Sequence, residues 1–151
     1  MASDYSLMTI FIGADHRGFK IKEALRPYLK ELGYEVVDLG NDHLDEADDY
    51  SDFANAVAGK VSQNPEIDKG ILICGSGIGM SIAANKFENV RAAQVDKIEE
   101  AILSRKDNNA NVLTLSGNDL SESEAKEIVK TWLETPFSKE EKDKRRIGKI
   151  K

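Results

Sequence analysis

The hydrophobic pattern of the chain switches repeatedly between a strand-like and a helix-like period. Short β-branched or continuous apolar runs predict strands at 9–13, 35–39, 71–74, 90–95 and 111–115. Apolar residues at helical spacing predict helices at 19–32, 51–62, 80–85, 97–105 and 122–133. Strands that alternate with helices through short loops predict an α/β fold, namely a three-layer αβα Rossmann-like domain with a five-stranded parallel sheet.

Local signals refine these elements and divide the chain. Pro27 lies inside the first helix, and we expect it to bend that helix rather than end it, because the apolar pattern continues past it. Ser121 and Glu124 have the spacing of a capping box. The predicted division is an N-terminal tail at 1–8, the αβα domain at 9–137, and a charged C-terminal tail or helix at 138–151, on the surface or reaching a partner subunit.

The segment 70–85, GILICGSGIGMSIAAN, joins a buried strand to a helix through a glycine-rich turn. Its strand ends at Cys74, the only cysteine of the chain. Glycines at 75, 77 and 79 remove every second side chain, so backbone N–H groups can approach an anion at the start of the helix. A thiol there can act as a nucleophile or a base, and the alternative is a small buried residue before a tight turn.

Polar segments follow several of the predicted strands. Ligands of open parallel sheets bind beyond the carboxyl ends of the strands, so we expect these segments to surround one cleft. They are Asp15-His16, Asp49-Tyr50 and 74–79, and we extend the expectation to Asp107-Asn108. An anionic sugar or a nucleotide is the ligand expected in this cleft.

Composition narrows the classes of protein. The 151 residues with 40% hydrophobic content fit one domain, and the net charge of -6 argues against a general binder of nucleic acid or of anionic membranes. One cysteine excludes an intrachain disulfide framework and a cysteine-rich zinc site, and two dispersed histidines argue against a histidine-built metal site, so we predict no metal site. No apolar run approaches the roughly 20 residues of a membrane span, and no signal-peptide pattern is present, so a cytoplasmic location is expected. The acidic loop at 40–49 lacks EF-hand spacing and is interpreted as a solvated loop.

Four motifs occur together and in order: GADHRGF at 13–19, DDYSDFA at 48–54, ICGSGIGMSIAANK at 73–86 and NNANVL at 108–113. In combination they resemble the ribose-5-phosphate isomerase B family, which includes the galactose-6-phosphate isomerase subunits. The resemblance implies an aldose-ketose isomerase that converts ribose 5-phosphate to ribulose 5-phosphate by a cis-enediolate, without metal or cofactor. The alternatives are an isomerase of a hexose 6-phosphate, of allose or galactose type, and a non-catalytic relative that binds sugar phosphates.

The resemblance also implies roles for individual residues. Cys74 takes the place of the base that moves the proton between C1 and C2, and Ser76 that of a hydroxyl contacting the substrate. A cysteine-free branch has glutamate at the position of Met80, which cannot ionise, so Cys74 remains the candidate. The backbone amides of Gly75, Gly77, Ile78 and Gly79 are expected to face the oxyanion. The other expected substrate ligands are Asp15, His16, Tyr50 and Asn108.

Three departures from the family pattern leave the substrate open. Asp107 stands in place of the family's ring-opening histidine. Asn118 lies near the position at which the family has a phosphate-binding arginine after the fifth strand. Lys142 and Arg146 align with two C-terminal arginines that the family takes from the neighbouring subunit, and lysine lacks the bidentate fork of arginine. The resemblance therefore implies a homodimer, with a dimer of dimers as the alternative.

Two nucleotide-binding alternatives are weaker. Asp96 follows a strand after the glycines, as the ribose-binding acid of a dinucleotide-binding domain does. The glycine spacing is G-x-G-x-G, however, and the loop follows the third strand rather than the first. A P-loop is excluded because no Gly-Lys-Ser/Thr follows the glycines.

Overall fold

A computed structural model describes residues 8–150. The strands are β1 (Thr9–Ala14), β2 (Glu35–Asp38), β3 (Lys69–Cys74), β4 (Ala92–Gln94) and β5 (Val112–Ser116). The helices are α1 (Phe19–Glu31), α2 (Tyr50–Gln63), α3 (Ile78–Ala84), α4 (Ile98–Lys106), α5 (Glu122–Glu134) and α6 (Glu141–Gly148). Every predicted strand and helix is present, and its ends lie within two residues of the predicted ones.

The five strands form one parallel sheet in the order β2-β1-β3-β5-β4, which confirms the predicted fold class. β3 is central because its continuous apolar run can be covered on both faces. Its neighbours are β1 and β5, with Gly13 and Thr114 paired to Leu72 on either side. The loops after β1, β3 and β5 therefore meet at the carboxyl edge of the sheet, where ligands of such folds bind.

Helices cover both faces of the sheet and give the chain two apolar cores. On one face, α1, α4 and α5 pack around the fully buried Leu25, Leu29 and Trp132. On the other face, α2 and α3 contribute Val57 and Met80 among the fully buried side chains. The three-layer αβα arrangement follows from these two cores.

The local signals of the sequence are also found in the structure. Pro27 lies inside α1, which continues past it. The Ser121 hydroxyl accepts a hydrogen bond from the Glu124 amide at 3.1 Å, and the Glu124 carboxylate accepts one from the Ser121 amide at 2.9 Å. This capping box satisfies two donors at the start of α5.

The structure describes most of the two predicted end segments. Met8, the last residue of the predicted tail, packs against the core, and residues 1–7 of that tail lie outside the described residues. The C-terminal segment does contain a short separate helix, α6. It is docked rather than free: the Ser138 amide donates to the Lys106 carbonyl at 3.0 Å, and the buried Asp143 accepts from the Ser138 hydroxyl at 2.7 Å. Between residues 8 and 150, no helix combines the length and apolar character needed to cross a membrane.

Candidate active site

Cys74 is the last residue of the central strand, and its thiol is held by the turn that follows. The side chain is 5% exposed, and the Gly77 amide donates a hydrogen bond to Sγ at 3.2 Å. Gly77 has a φ of 81°, a left-handed conformation that turns its N–H back toward the sulfur and that glycine adopts without strain. The structure thus places Cys74 where the sequence predicts a reactive cysteine.

Two of the backbone amides expected to face the oxyanion make hydrogen bonds within the turn. The Gly77 amide binds the thiol, and the Ile78 amide donates to the Ser76 hydroxyl oxygen at 3.1 Å. Ser76 is exposed, and its oxygen accepts from Ile78, so its own O–H is left to donate outward. The turn therefore combines a sulfur acceptor with a neighbouring hydroxyl donor.

Asp15 lies directly after β1 and anchors its loop beside β3. The carboxylate is 6% exposed and accepts hydrogen bonds from the amides of Arg17 at 3.0 Å and Gly18 at 3.2 Å. The Asp15 amide donates to the carbonyl of Ile73, the residue before Cys74, at 3.3 Å. Burial raises the pKa of Asp15, and the two backbone hydrogen bonds offset part of that effect. The loop that carries the carboxyl group is thereby fixed against the residue before Cys74.

His16 is oriented by Asp48, which precedes α2. His16 Nδ1 lies 2.8 Å from Asp48 Oδ1, and the His16 amide donates to the same oxygen at 3.0 Å. The Asp48 hydrogen bond raises the pKa of His16 despite some desolvation. Burial pushes the pKa of Asp48 upward, but the hydrogen bonds from His16 and from Asn41 outweigh it and leave that pKa below its usual value. His16 is thus disposed to be cationic, with Nε2 left to face a ligand.

Asp48 is a functional candidate that the sequence reasoning missed, although it lies inside the quoted motif DDYSDFA. With Asp15 and His16 it forms a group whose potential ligand atoms all lie within 4.8 Å of one another. Such a set of carboxylates and imidazole has the geometry to hold a metal ion. The hydrogen bonds to the Arg17, Gly18 and His16 amides account for the same arrangement without one.

Tyr50 comes to the glycine-rich turn as predicted. It is the first residue of α2 and 43% exposed, and its ring lies against Gly79 in the first turn of α3. A Cβ at position 79 would lie 2.6 Å from Tyr50 Cε1, so only glycine leaves room for the ring. The absence of a side chain at Gly79 therefore allows the Tyr50 ring to pack directly against the turn.

The loop after β5 is tied to the loop after β3. The Gly117 amide donates to the Cys74 carbonyl at 2.7 Å, and the Gly75 carbonyl accepts from the Ser116 hydroxyl at 2.7 Å and the Asn118 amide at 3.1 Å. The Asn118 side chain thereby reaches the turn.

Arg17 also reaches this turn, and the sequence reasoning assigned it no role. A Cβ at Gly75 would lie 2.9 Å from Arg17 Cδ and 3.0 Å from Asn118 Nδ2. Its place in the motif GADHRGF is the one sequence feature that could have indicated a role for Arg17.

Asp107 and Asn108 do not join this cluster within one chain, which corrects the expectation of a single cleft. They follow helix α4 rather than a strand, and α4 runs back toward the amino edge of the sheet. Val112, four residues beyond Asn108, pairs with Gly70 near the start of β3, whereas Cys74 ends that strand. At a rise of about 3.3 Å per residue, the strand alone separates the two edges by about 13 Å.

Lys142 and Arg146 lie at the same amino edge and likewise do not reach Cys74 of their own chain. Their helix, α6, is docked on the end of α4 through the Ser138 amide and the Lys106 carbonyl. Both side chains are exposed, and a spacing of four residues puts them on one face of the helix. The structure thus separates the predicted site residues into two groups, one at each edge of the sheet.

Comparisons with known proteins agree with this architecture. A family model described as Ribose/Galactose Isomerase matches residues 10–150. The chain is 45% identical to a Mycoplasma genitalium protein named probable ribose-5-phosphate isomerase B, over 93% of this chain and 92% of that protein. It is 37% identical to ribose-5-phosphate isomerase B of Mycobacterium tuberculosis, over 93% and 86% of the two chains. The crystal structure of the Mycoplasma genitalium isomerase with bound ribulose 5-phosphate has a TM-score of 0.93 at 44% identity, and the match covers 95% of this chain and 94% of the other.

Proposed function

Because this chain belongs to the ribose/galactose isomerase family, we propose that Cys74 is the base that moves the proton in its isomerisation of sugar phosphates. The enzyme is an aldose-ketose isomerase of the ribose-5-phosphate isomerase type, and ribose 5-phosphate and ribulose 5-phosphate are its main substrate pair. One observation carries the assignment to Cys74: its thiol lies at the carboxyl edge of the central strand, 3.2 Å from a donating amide.

The proposed chemistry is a proton transfer with no net redox change. The Cys74 thiolate removes the proton from C2 of the open-chain aldose, and the C2–H electrons form the C1–C2 double bond of a cis-enediolate as negative charge moves to O1. The thiol then returns the proton to C1, and the proton of the C2 hydroxyl transfers to O1, which leaves a ketone at C2. No metal or cofactor is consumed. The outward-facing Ser76 hydroxyl is placed to donate to the oxygen that gains charge.

Asp15, His16 and Tyr50 are the proposed ligands for the rest of the sugar. The buried Asp15 carboxylate accepts hydrogen bonds from sugar hydroxyls, and Tyr50 covers the cleft from the side of α2. His16, held by Asp48 and disposed to be cationic, favours an anionic substrate. The amides of Gly75 and Gly79 remain candidates for the oxyanion, together with that of Ile78 once the substrate displaces the Ser76 hydroxyl, whereas the Gly77 amide holds the thiol.

We assign Asp107, Asn108, Lys142 and Arg146 to the site of a second copy in a homodimer. Their common position at the amino edge supports this assignment, because residues on one edge can complete a cleft at the other edge only across an interface. Asp107 is then the candidate for ring opening, and Lys142 and Arg146 for binding the phosphate.

Mixed dimers test the shared site. A Cys74→Ala chain combined with a chain carrying Lys142→Ala and Arg146→Ala forms one site with both groups intact. We expect turnover well above that of either parent dimer, and sedimentation distinguishes a dimer from a dimer of dimers. Mixed dimers that form but show only parental activity contradict the assignment.

A substrate panel tests the proposed reaction. Phosphates of ribose, allose and galactose are offered to the wild type and to Cys74→Ala, each with a metal chelator present. Cysteine-dependent turnover of ribose 5-phosphate is expected, and preferred turnover of a hexose 6-phosphate would move the assignment to the alternative substrate class. Loss of wild-type activity in the chelator would contradict a metal-free reaction and point to the group of Asp15, His16 and Asp48.

A further inference from the structure

We propose that Arg17 binds the phosphate group of the sugar phosphate, an inference that rests on the proposed function. The Arg17 side chain lies against Gly75, the residue directly after Cys74. An ideal Cβ built on Gly75 would lie 2.9 Å from Arg17 Cδ and 3.4 Å from Arg17 Nη1. The guanidinium is therefore at the catalytic turn itself.

The backbone of Arg17 is fixed, while its side chain is available. Its amide donates to the Asp15 carboxylate at 3.0 Å, and its carbonyl packs so closely on Gly117 that a Cβ there would overlap it. The side chain is exposed, and within residues 8–150 its guanidinium makes no hydrogen bond or ion pair. A guanidinium whose N–H donors are free to bind a ligand, on a fixed backbone, suits recognition of an anion with several oxygens.

A second donor converges on the same place. Asn118 Nδ2 lies 3.0 Å from the ideal Cβ position of Gly75, so the amide and the guanidinium both lie within 3.4 Å of one point. Asn118 brings no charge, and Lys142 and Arg146 are at the other edge of the sheet. Arg17 thus brings a positive charge from the same chain directly to Gly75.

There is room for a phosphate group beside Arg17. The residue lines an open cavity of about 830 Å³ between the starts of α1 and α5. Lys20 and Lys126 also line this cavity and one carboxylate, Glu122, opposes them, so the charge is positive on balance. Gly117 also lines the cavity, and its amide donates to the Cys74 carbonyl, so a phosphate group held there would lie close to the turn that follows Cys74.

Arg17→Ala tests the proposal through the phosphate. We expect KM for ribose 5-phosphate to rise about 10- to 100-fold, as for loss of a charge-assisted hydrogen bond, with kcat much less affected. The inhibition constant of inorganic phosphate should rise by a similar factor, whereas kcat/KM for unphosphorylated ribose should not change. Arg17→Lys should be intermediate, because lysine keeps the charge and loses the fork. Lys30→Ala, an exposed cation at the far end of α1, is the matched control and should leave all these constants unchanged.

Two further variants separate a binding role from a structural one. Gly75→Ala should raise KM in the same way without unfolding the protein, because its Cβ displaces flexible side chains rather than backbone. Asn118→Arg in the Arg17→Ala background should recover part of the lost affinity, because it returns a guanidinium to the same point. Arg17→Ala with wild-type KM, in an enzyme whose wild type turns over ribose 5-phosphate, would overturn the proposal and leave the proposed function intact. A wild type without turnover would instead contradict the proposed function, and calorimetric titration with inorganic phosphate would still decide the role of Arg17.

Discussion

Gly18→Ala should destabilise the enzyme by packing a methyl group against the backbone of the central strand. Gly18 ends the loop that carries Asp15 and His16, and it lies against Ile73, one residue before Cys74. An ideal Cβ at Gly18 would lie 2.6 Å from the Ile73 carbonyl carbon and closer still to its oxygen. Ordinary carbon contacts are about 3.5–4.0 Å, so the loop must move by about 1 Å. The Ile73 backbone is paired in the sheet and cannot yield.

The cost has two parts. Forcing an extra methyl into a packed site costs about 1–3 kcal/mol. The movement also weakens the bond that the Gly18 amide donates to the buried Asp15 carboxylate at 3.2 Å, and bonds to charged groups contribute about 1.5–3 kcal/mol. We therefore expect a loss of about 2–5 kcal/mol in the free energy of unfolding. For a domain of this size the corresponding fall in Tm is roughly 5–15 °C.

Urea denaturation and thermal melting of Gly18→Ala measure this loss. Gly148→Ala is the control, since a Cβ there meets nothing within 4 Å, and it should change the free energy of unfolding by less than about 0.5 kcal/mol. A Gly18→Ala protein as stable as the wild type would refute the close seating of this loop on β3. The positions of Asp15 and His16 relative to the end of β3 would then need revision as well.

Two other perturbations address the cleft. Gly79→Ala should displace the Tyr50 ring, because Tyr50 Cζ lies 2.7 Å from the ideal Cβ of residue 79. We expect kcat/KM to fall by about 10- to 100-fold with little change in Tm, since the displaced ring can move into solvent. Unchanged kinetics would show that Tyr50 does not belong to the site. Asp48→Asn should reduce stability in a pH-dependent way. The raised pKa of His16 contributes stability that is fully present below its unfolded value of about 6.5 and is lost as pH rises through the folded pKa. The lowered pKa of Asp48 contributes stability that is present above its unfolded value of about 3.8 and is lost as pH falls. The wild type should therefore exceed Asp48→Asn most between about pH 4 and pH 6.5, and a difference that does not depend on pH would contradict the ion pair.

The parts of the site that sequence reasoning located are those encoded by neighbouring residues. The strand-turn-helix around Cys74 follows from a continuous apolar run and three spaced glycines, and both determine backbone geometry locally. Asp15 and His16 were found because they directly follow a strand of a parallel sheet. Such predictions need the period of the pattern and the direction of the chain, and nothing about distant contacts.

The convergence of Arg17, Gly75 and Asn118 could not be predicted in the same way. It depends on the order β1-β3-β5 in the sheet, which brings together loops that are far apart in sequence. Asp107 is the opposite case, because the direction of the chain alone shows that it does not belong with the residues at the carboxyl edge of the sheet. A residue that follows a helix in an alternating chain lies at the amino edge of the sheet, so Asp107 and Asn108 were never positioned for the cleft of their own chain.

Exchange of the C2 proton tests the role of Cys74 most directly. Wild type and Cys74→Ala are incubated in deuterated buffer with ribose 5-phosphate, deuterium at C2 is followed by NMR, and binding of ribulose 5-phosphate is measured by calorimetry. We predict rapid exchange by the wild type and about a 10²- to 10⁴-fold loss in Cys74→Ala, as for removal of a general base, with the Kd of ribulose 5-phosphate nearly unchanged. Exchange at the wild-type rate in Cys74→Ala would contradict the assignment of Cys74 as the base, because another group would then be moving the proton.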